Sequence, residues 1–132
     1  MRNWLIYLFF LQITLIASVS PNCGVGPLEI PSDTITIRDN EYQGCDEFTG
    51  ELIIPHGVTK IGVAAFADCS GFTGLKLPTT LQTIEQSAFG GCSNMGGLLY
   101  IPNSVETIGN YAFYLTHFSL IRFVGETVNC KS

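Results

Sequence analysis

The chain has 132 residues, of which 46% are hydrophobic and 13% are charged, and its formal net charge is −5. Six basic residues against eleven acidic ones give no basic patch for the phosphates of nucleic acid or of anionic lipid, which excludes both as partners. The length suits one small domain.

The first segment has the composition of a secretory signal peptide. Arg2 precedes about a dozen mostly apolar residues, and the small residues Ala17 and Ser18 follow them. We therefore divide the chain into a signal peptide, residues 1–20, cleaved after Ala17 or Ser18, and one domain, residues 21–132. The alternative is an uncleaved membrane anchor, but the apolar stretch is shorter than the roughly 20 residues that a membrane span needs.

A tetrapeptide then recurs along the chain. It reads Leu28-Glu29-Ile30-Pro31, Leu52-Ile53-Ile54-Pro55, Leu75-Lys76-Leu77-Pro78 and Leu99-Tyr100-Ile101-Pro102, and its prolines are separated by 24, 23 and 24 residues. A fixed period between about 20 and 50 residues is typical of a solenoid, in which each repeat forms one coil. The spacing predicts four coils, starting near Leu28, Leu52, Leu75 and Leu99, with the two ends acting as caps.

Each coil is predicted to contain two short parallel strands, which makes the fold mainly β. The tetrapeptide forms one strand, which proline ends because it has no N–H to donate. A stretch such as Leu81–Ile84 forms the second. The following Ala-Phe-x-x-Cys segment predicts a single helical turn. Stacked coils place equivalent residues about 4.8 Å apart, so Phe66, Phe89 and Phe113 should form an interior column, with Tyr42 in the first coil.

A longer signature surrounds the tetrapeptide. In the second coil it comprises Leu52-Ile53-Ile54-Pro55, Val58, Ile61-Gly62, Ala65-Phe66 and Cys69. This pattern resembles the leucine-rich repeats of the BspA-like surface-protein family, and the resemblance extends from about Leu28 to Val124. It implies a right-handed solenoid with strands on its inner face, in secreted or surface-attached proteins used in adhesion.

Three of the five cysteines recur in step with the prolines. Cys45, Cys69 and Cys92 are 24 and 23 residues apart, which predicts a buried column of thiols, since cysteine tolerates complete burial. Cys23 lies outside the repeat and is close enough in sequence to form a disulfide with Cys45 across the N-terminal end. The sequence therefore leaves two alternatives for Cys45, a buried thiol of the column or a disulfide with Cys23. No C-x-x-C pair is present, so we expect no zinc site.

Acidic residues concentrate in the first coil. Seven of them lie between Glu29 and Glu51, opposed only by Arg38. We interpret them as the solvated surface of an end coil. A cation site is the alternative, but the spacing and the glycine of an EF-hand are absent.

One strand face is the predicted binding surface. The outward residues of the tetrapeptide strands are Glu29, Ile53, Lys76, Tyr100 and Arg122. Tyrosine and arginine are favoured anchors of protein interfaces, so we expect an unknown protein ligand to bind there. Ordinary solvated surface is the alternative interpretation.

No catalytic motif is present. His56 and His117 have no serine or cysteine partner in a recognisable arrangement, so we expect no enzymatic activity, no metal and no cofactor. Two functions remain: a secreted or cell-surface recognition or adhesion module, not membrane-bound after cleavage, and a structural fragment that self-associates through its apolar C-terminal coil.

Overall fold

A computed structural model of the protein describes residues 21–125. They form eight strands: β1 (Thr36–Ile37), β2 (Gly50–Ile53), β3 (Lys60–Ile61), β4 (Phe72–Lys76), β5 (Thr83–Ile84), β6 (Gly96–Pro102), β7 (Thr107–Ile108) and β8 (His117–Val124). The predicted signal peptide, residues 1–20, and Cys130 lie outside the described residues.

The strands stack as four coils, which confirms the predicted mainly β solenoid. The odd-numbered strands form one parallel sheet in the order β1-β3-β5-β7. Its register aligns Ile37, Ile61, Ile84 and Ile108, one from each coil. The even-numbered strands run along the other side as two parallel pairs, β2–β4 and β6–β8.

The first tetrapeptide differs from the other three. The predicted strand at Leu28–Pro31 is absent, and this part of the chain contributes only an isolated parallel bridge between Gly26 and Phe48. Pro27 and Pro31 bracket the segment and lack the N–H groups that a ladder requires.

The segment after each odd-numbered strand consists of turns, so the predicted helical turn at Ala-Phe-x-x-Cys is not confirmed. In the second coil Ala64 and Asp68 have φ angles of 51° and 60°, and left-handed residues interrupt a right-handed helix. Backbone N–H groups of this segment alternate between short turns within the coil, such as Ala67 to Ala64, and hydrogen bonds to the next coil. The N–H of Phe66 donates to the carbonyl of Ala88, and the N–H of Phe89 donates to Ala112, both at 2.8 Å.

This ladder brings the aromatic rings into the predicted column. Ring centroids are 5.1 Å apart for Tyr42 and Phe66, 5.5 Å for Phe66 and Phe89, and 5.5 Å for Phe89 and Phe113, with planes within 5° of parallel. Phe66 and Phe89 are completely buried. The register predicted from the repeat period is therefore confirmed.

Close approach between coils explains the glycine of the Ile-Gly pair. A Cβ on Gly62 would lie 2.6 Å from the Asp39 nitrogen and 2.7 Å from the Arg38 carbonyl carbon. Gly109 has the same relationship to the backbone of Glu85 and Gln86. Glycine lets one coil rest directly on the backbone of the coil before it.

The two ends of the stack are not alike. At the N-terminal end Ile37 is 1% exposed and Leu52 is fully buried, whereas their counterparts in the last coil, Ile108 and Ile121, are 39% and 40% exposed. Residues 21–30 lie over the first coil. Within the described residues, nothing covers the last one.

Candidate functional site

The strand face contains two of the predicted pairs in register. Ile53 lies opposite Lys76 on β2 and β4, and Tyr100 lies opposite Arg122 on β6 and β8. All four are exposed, with Ile53 at 54% and Tyr100 at 50%. The alternation of each strand turns these side chains outward. On β2 and β6 it also turns their neighbours into the core, whereas the neighbours of Arg122 on β8 stay exposed.

The five predicted residues do not form one continuous ladder. β4 and β6 are in contact, but they belong to different sheets. The register shifts at Gly97/Leu98, where Gly97 has a φ of +78°. Glu29 lies in the strandless first segment and lines a cavity of about 560 Å³ together with Asp33 and Arg38.

This face also includes two apolar residues that were not predicted from the sequence. Leu98 on β6 lies opposite Leu120 on β8, and they are 43% and 46% exposed. The shift at Gly97 places them beside Tyr100 and Arg122. The alternation Leu98-x-Tyr100 was the available signal, but it lies just before the tetrapeptide. We call Leu98, Tyr100, Leu120 and Arg122 the strand-face cluster.

The electrostatics of this face are mild. Lys76 Nζ lies 2.8 Å from Glu51 Oε2, and both side chains are largely exposed. An exposed pair of this kind contributes about 0–1 kcal/mol, so it orients Lys76 without adding much stability. The strand-face cluster itself contains a single charge, Arg122.

The opposite sheet presents a polar column. Thr36, Lys60, Thr83 and Thr107 are in register along β1, β3, β5 and β7. Lys60 Nζ lies 2.7 Å from Glu85 Oε1, and this hydrogen bond and the charge of Glu85 raise the pKa of Lys60. Each side of the solenoid carries an ion pair. The two sides differ in that the strand face exposes Leu98, Tyr100 and Leu120, whereas the other sheet presents a column rich in threonine.

The cysteines occupy two kinds of environment. A disulfide joins Cys23 to Cys45, whose Cα atoms are 5.0 Å apart, so Cys45 is not a thiol in the structure. Cys69 and Cys92 are free and fully buried. Their thiols donate to the carbonyl oxygens of Tyr42, at 2.9 Å, and of Phe66, at 3.0 Å. Burial is the main reason that the pKa of each rises to about 12, which makes them poor nucleophiles.

The repeat signature has a counterpart in known sequences. A family model described as a BspA type leucine rich repeat region matches residues 19–130 in six copies. The chain belongs to this family. The resemblance inferred from the tetrapeptides is thereby confirmed.

One solved structure resembles this BspA-type protein. It is a leucine-rich repeat protein of T. pallidum, 24% identical, with a TM-score of 0.49. The likeness covers 80% of this chain and 42% of the other, so the BspA-type chain spans less than half the length of that protein. No curated protein matches the chain.

The two histidines of the BspA-type domain lie in different coils, and both are exposed. His56 is exposed in a turn, and Nδ1 of His117 donates to the carbonyl oxygen of Ser93 at 2.5 Å. Asp39 Oδ1 accepts a hydrogen bond from the N–H of Val63. Among residues 21–125, no group of histidine, cysteine and acidic side chains is placed to hold a metal ion.

The described part of the BspA-type chain has no helix that is long and apolar enough to cross a membrane.

Proposed function

We propose that the protein is a secreted or cell-surface module that recognises a protein partner, in adhesion or a related contact, through the strand face and without catalysis. The strand-face cluster is the observation that supports this proposal. It places two leucines, a tyrosine and an arginine on two adjacent strands, with their side chains turned to solvent.

The chemistry of the cluster suits a protein ligand. Tyrosine contributes a large contact area and loses little conformational entropy on binding, and tyrosine and arginine are enriched at interfaces. Leu98 and Leu120 provide apolar area between them. Ile53 and Lys76 extend the surface onto the neighbouring strand pair. Because the backbone is held by the ladder between β6 and β8, binding does not have to order it.

Export is supported by two features of the sequence and structure. The N-terminal segment has the composition of a signal peptide, and the Cys23–Cys45 disulfide suits an oxidising compartment. Intact-mass analysis of the protein recovered from a secreting host tests this part. A mass corresponding to cleavage after Ala17 or Ser18 supports it, and full-length protein retained in the cell would contradict it.

Partner recognition is tested by capture and titration. The immobilised protein is exposed to medium and surface extracts, and the proteins retained are titrated against Tyr100→Ala and Arg122→Ala. Each variant should weaken binding by about 1–2 kcal/mol or more if the residue is an anchor. Thr83→Ala, on the polar side of the solenoid, is the control and should bind as the parent does.

The outcomes separate the strand face from other surfaces. Equal loss in Thr83→Ala and Tyr100→Ala would show that binding does not depend on the strand face. Unchanged affinity in both Tyr100→Ala and Arg122→Ala would overturn the assignment of these residues.

The second candidate function is that of a structural, self-assembling piece without a dedicated ligand. The open C-terminal coil favours it, since Ile108 and Ile121 are exposed where their counterparts in earlier coils are buried. Failure to retain any partner, combined with concentration-dependent association, would favour this function over recognition.

A further inference from the structure

We propose that the C-terminal end of the solenoid is an isologous dimer interface, occupied by the same end of a second copy of this chain. This inference goes beyond the proposed recognition function, because it concerns the end of the stack and not the outward strand face. We define the end face as Ile108, Phe113, Ile121 and Phe123, the last members of four interior columns, together with the free edge of β8.

Among residues 21–125, no layer covers the end face. Ile101 is 1% exposed, and Phe123, which lies opposite it one coil later, is 71% exposed. Leu99 is fully buried, whereas its partner Ile121 is 40% exposed. The side chains keep the type and direction of a buried column, so another layer of similar chemistry would complete it. Contiguous exposed apolar surface of this kind marks an interaction site.

Strand β8, at this end, has one edge that pairs with no other described strand. β8 is eight residues long, the longest described strand, and it pairs with β6 on one side only. Its side chains are almost all exposed. A long apolar edge strand whose backbone groups are unpaired is a template for another strand.

The turns of the last coil also carry larger side chains than those of earlier coils. Tyr111 and Tyr114 occupy the positions that Ala64 and Ala67 occupy in the second coil. The two tyrosine rings contact each other edge to face at 5.8 Å, and they are 67% and 58% exposed. Tyrosine is enriched at protein interfaces, and these two tyrosines lie at the border of the end face.

The N-terminal end is unsuited to cover this surface. Its interior is closed, since Ile37 and Cys45 are each 1% exposed and Phe48 is 5% exposed. Seven acids against Arg38 lie between Glu29 and Glu51, so the first coil offers charge where the end face requires apolar contact. Head-to-tail stacking would leave the exposed columns facing a polar cap.

Two C-terminal ends are compatible with each other. Between Leu99 and Gly125 the only acid is Glu106 and the only Lys or Arg is Arg122, so like-charge repulsion between two copies is small. A two-fold axis at the middle of β8, near Leu120 and Ile121, would pair the two edges antiparallel and bring the open columns together. In this arrangement the end face of each copy is covered by the end face of the other. No third copy can bind there, so the assembly is a closed dimer.

Sedimentation equilibrium of the purified protein over about a hundredfold range of concentration tests association. The parent should be a reversible dimer. Phe123→Asp should raise the dimer dissociation constant about thirtyfold or more, as expected for the loss of a hot spot. Val25→Asp is the matched control, because Val25 is 83% exposed at the opposite end, and it should dimerise as the parent does. Ile108→Asp repeats the test on a different strand, and near-UV circular dichroism checks that each variant is folded.

Cross-linking tests which ends meet. In a Cys130→Ser background, Leu120→Cys should form a disulfide with itself and give one dimer band. A ladder of higher oligomers would show head-to-tail contact and overturn the proposal.

A parent that stays monomeric at all concentrations would also overturn the proposal. If a monomeric parent became dimeric on removal of residues 126–132, the occupant would be the chain's own C-terminal segment. Loss of dimerisation in Phe123→Asp with retained ligand binding would leave the recognition function intact.

Discussion

Ile101 and Phe123 lie opposite each other on β6 and β8, yet Ile101 is 1% exposed and Phe123 is 71% exposed. Both side chains belong to the same interior column. Their burial differs because a coil lies beyond β6 and none of the described residues lies beyond β8. Position in the stack therefore decides how much a given column residue contributes to stability.

The aromatic column provides a direct measure of this effect. Phe89 is fully buried between Phe66 and Phe113, whereas Phe113 is only partly buried. Phe89→Ala should lower the free energy of unfolding by about 3–5 kcal/mol, because it removes a buried ring and leaves a cavity. Phe113→Ala should cost roughly half as much, since less surface is lost from the core. Urea unfolding monitored by circular dichroism measures both.

Equal costs for the two variants would mean that the last coil is as well covered as the third. That result would also weigh against an open C-terminal end in solution. A dimer at the concentration used would raise the cost of Phe113→Ala, so the measurement is repeated in the Phe123→Asp background.

Much of this fold could be predicted from the sequence, because a fixed period fixes the register. Once the prolines recur every 23 or 24 residues, equivalent side chains must stack, and the column from Tyr42 to Phe113 follows. The coarse assignment of two short strands per coil follows from the same alternation.

Other features depend on local backbone geometry, which the period does not encode. The even-numbered strands divide into two pairs between β4 and β6, and the shift at Gly97 within β6–β8 adds Leu98 and Leu120 to the exposed cluster. Left-handed conformations of Ala64 and Asp68 interrupt the predicted helical turn. Aspartate adopts this conformation more readily than most residues, but alanine gives no such signal. An apolar C-terminal coil could be predicted from the sequence, but the exposure of its column residues could not, because those residues continue the same apolar pattern.

The glycine of the Ile-Gly pair should be intolerant of a side chain. Gly62→Ala should lower the free energy of unfolding by about 1–3 kcal/mol, because the new methyl group meets the backbone of Arg38 and Asp39 and forces two coils apart. Gly74→Ala is the control. Its added Cβ would meet only the flexible Glu51 side chain, at 3.5 Å or more. Thermal unfolding of the two variants should show a clear loss in the first alone, and similar values would contradict direct backbone contact.

The disulfide should stabilise the first coil. It joins residues 22 apart in sequence, and a loop of that length contributes about 3 kcal/mol by restricting the unfolded chain. Cys23→Ser should therefore lower the urea midpoint, and adding a reductant should lower the midpoint of the parent but not of Cys23→Ser. Peptide mapping without reduction should recover the linked pair. Recovery of Cys23 as a free thiol from the exported protein would contradict the pairing.

The buried thiols should make stability depend on pH in the alkaline range. The pKa of Cys69 and of Cys92 rises from an ordinary value of 9.0 to about 12 in the folded protein, chiefly through burial. Below pH 9 both states keep these protons, and stability is unaffected. Between pH 9 and about 12 the unfolded chain releases protons that the folded chain retains, so stability falls as pH rises, by up to about 1.4 kcal/mol per pH unit for each thiol. Urea midpoints from pH 7 to pH 10.5 measure this slope.

A variant that removes both thiols isolates their contribution, because lysine and tyrosine side chains also titrate in this range. Cys69→Ala/Cys92→Ala should have a flatter alkaline slope than the parent, even if its stability at pH 7 is lower. Iodoacetamide at pH 8 should leave both cysteines unmodified in the folded protein and label them after unfolding in urea. Rapid labelling of either thiol in the native state would mean that the column is accessible to solvent, and the coils would then have to separate more readily than their backbone ladder indicates.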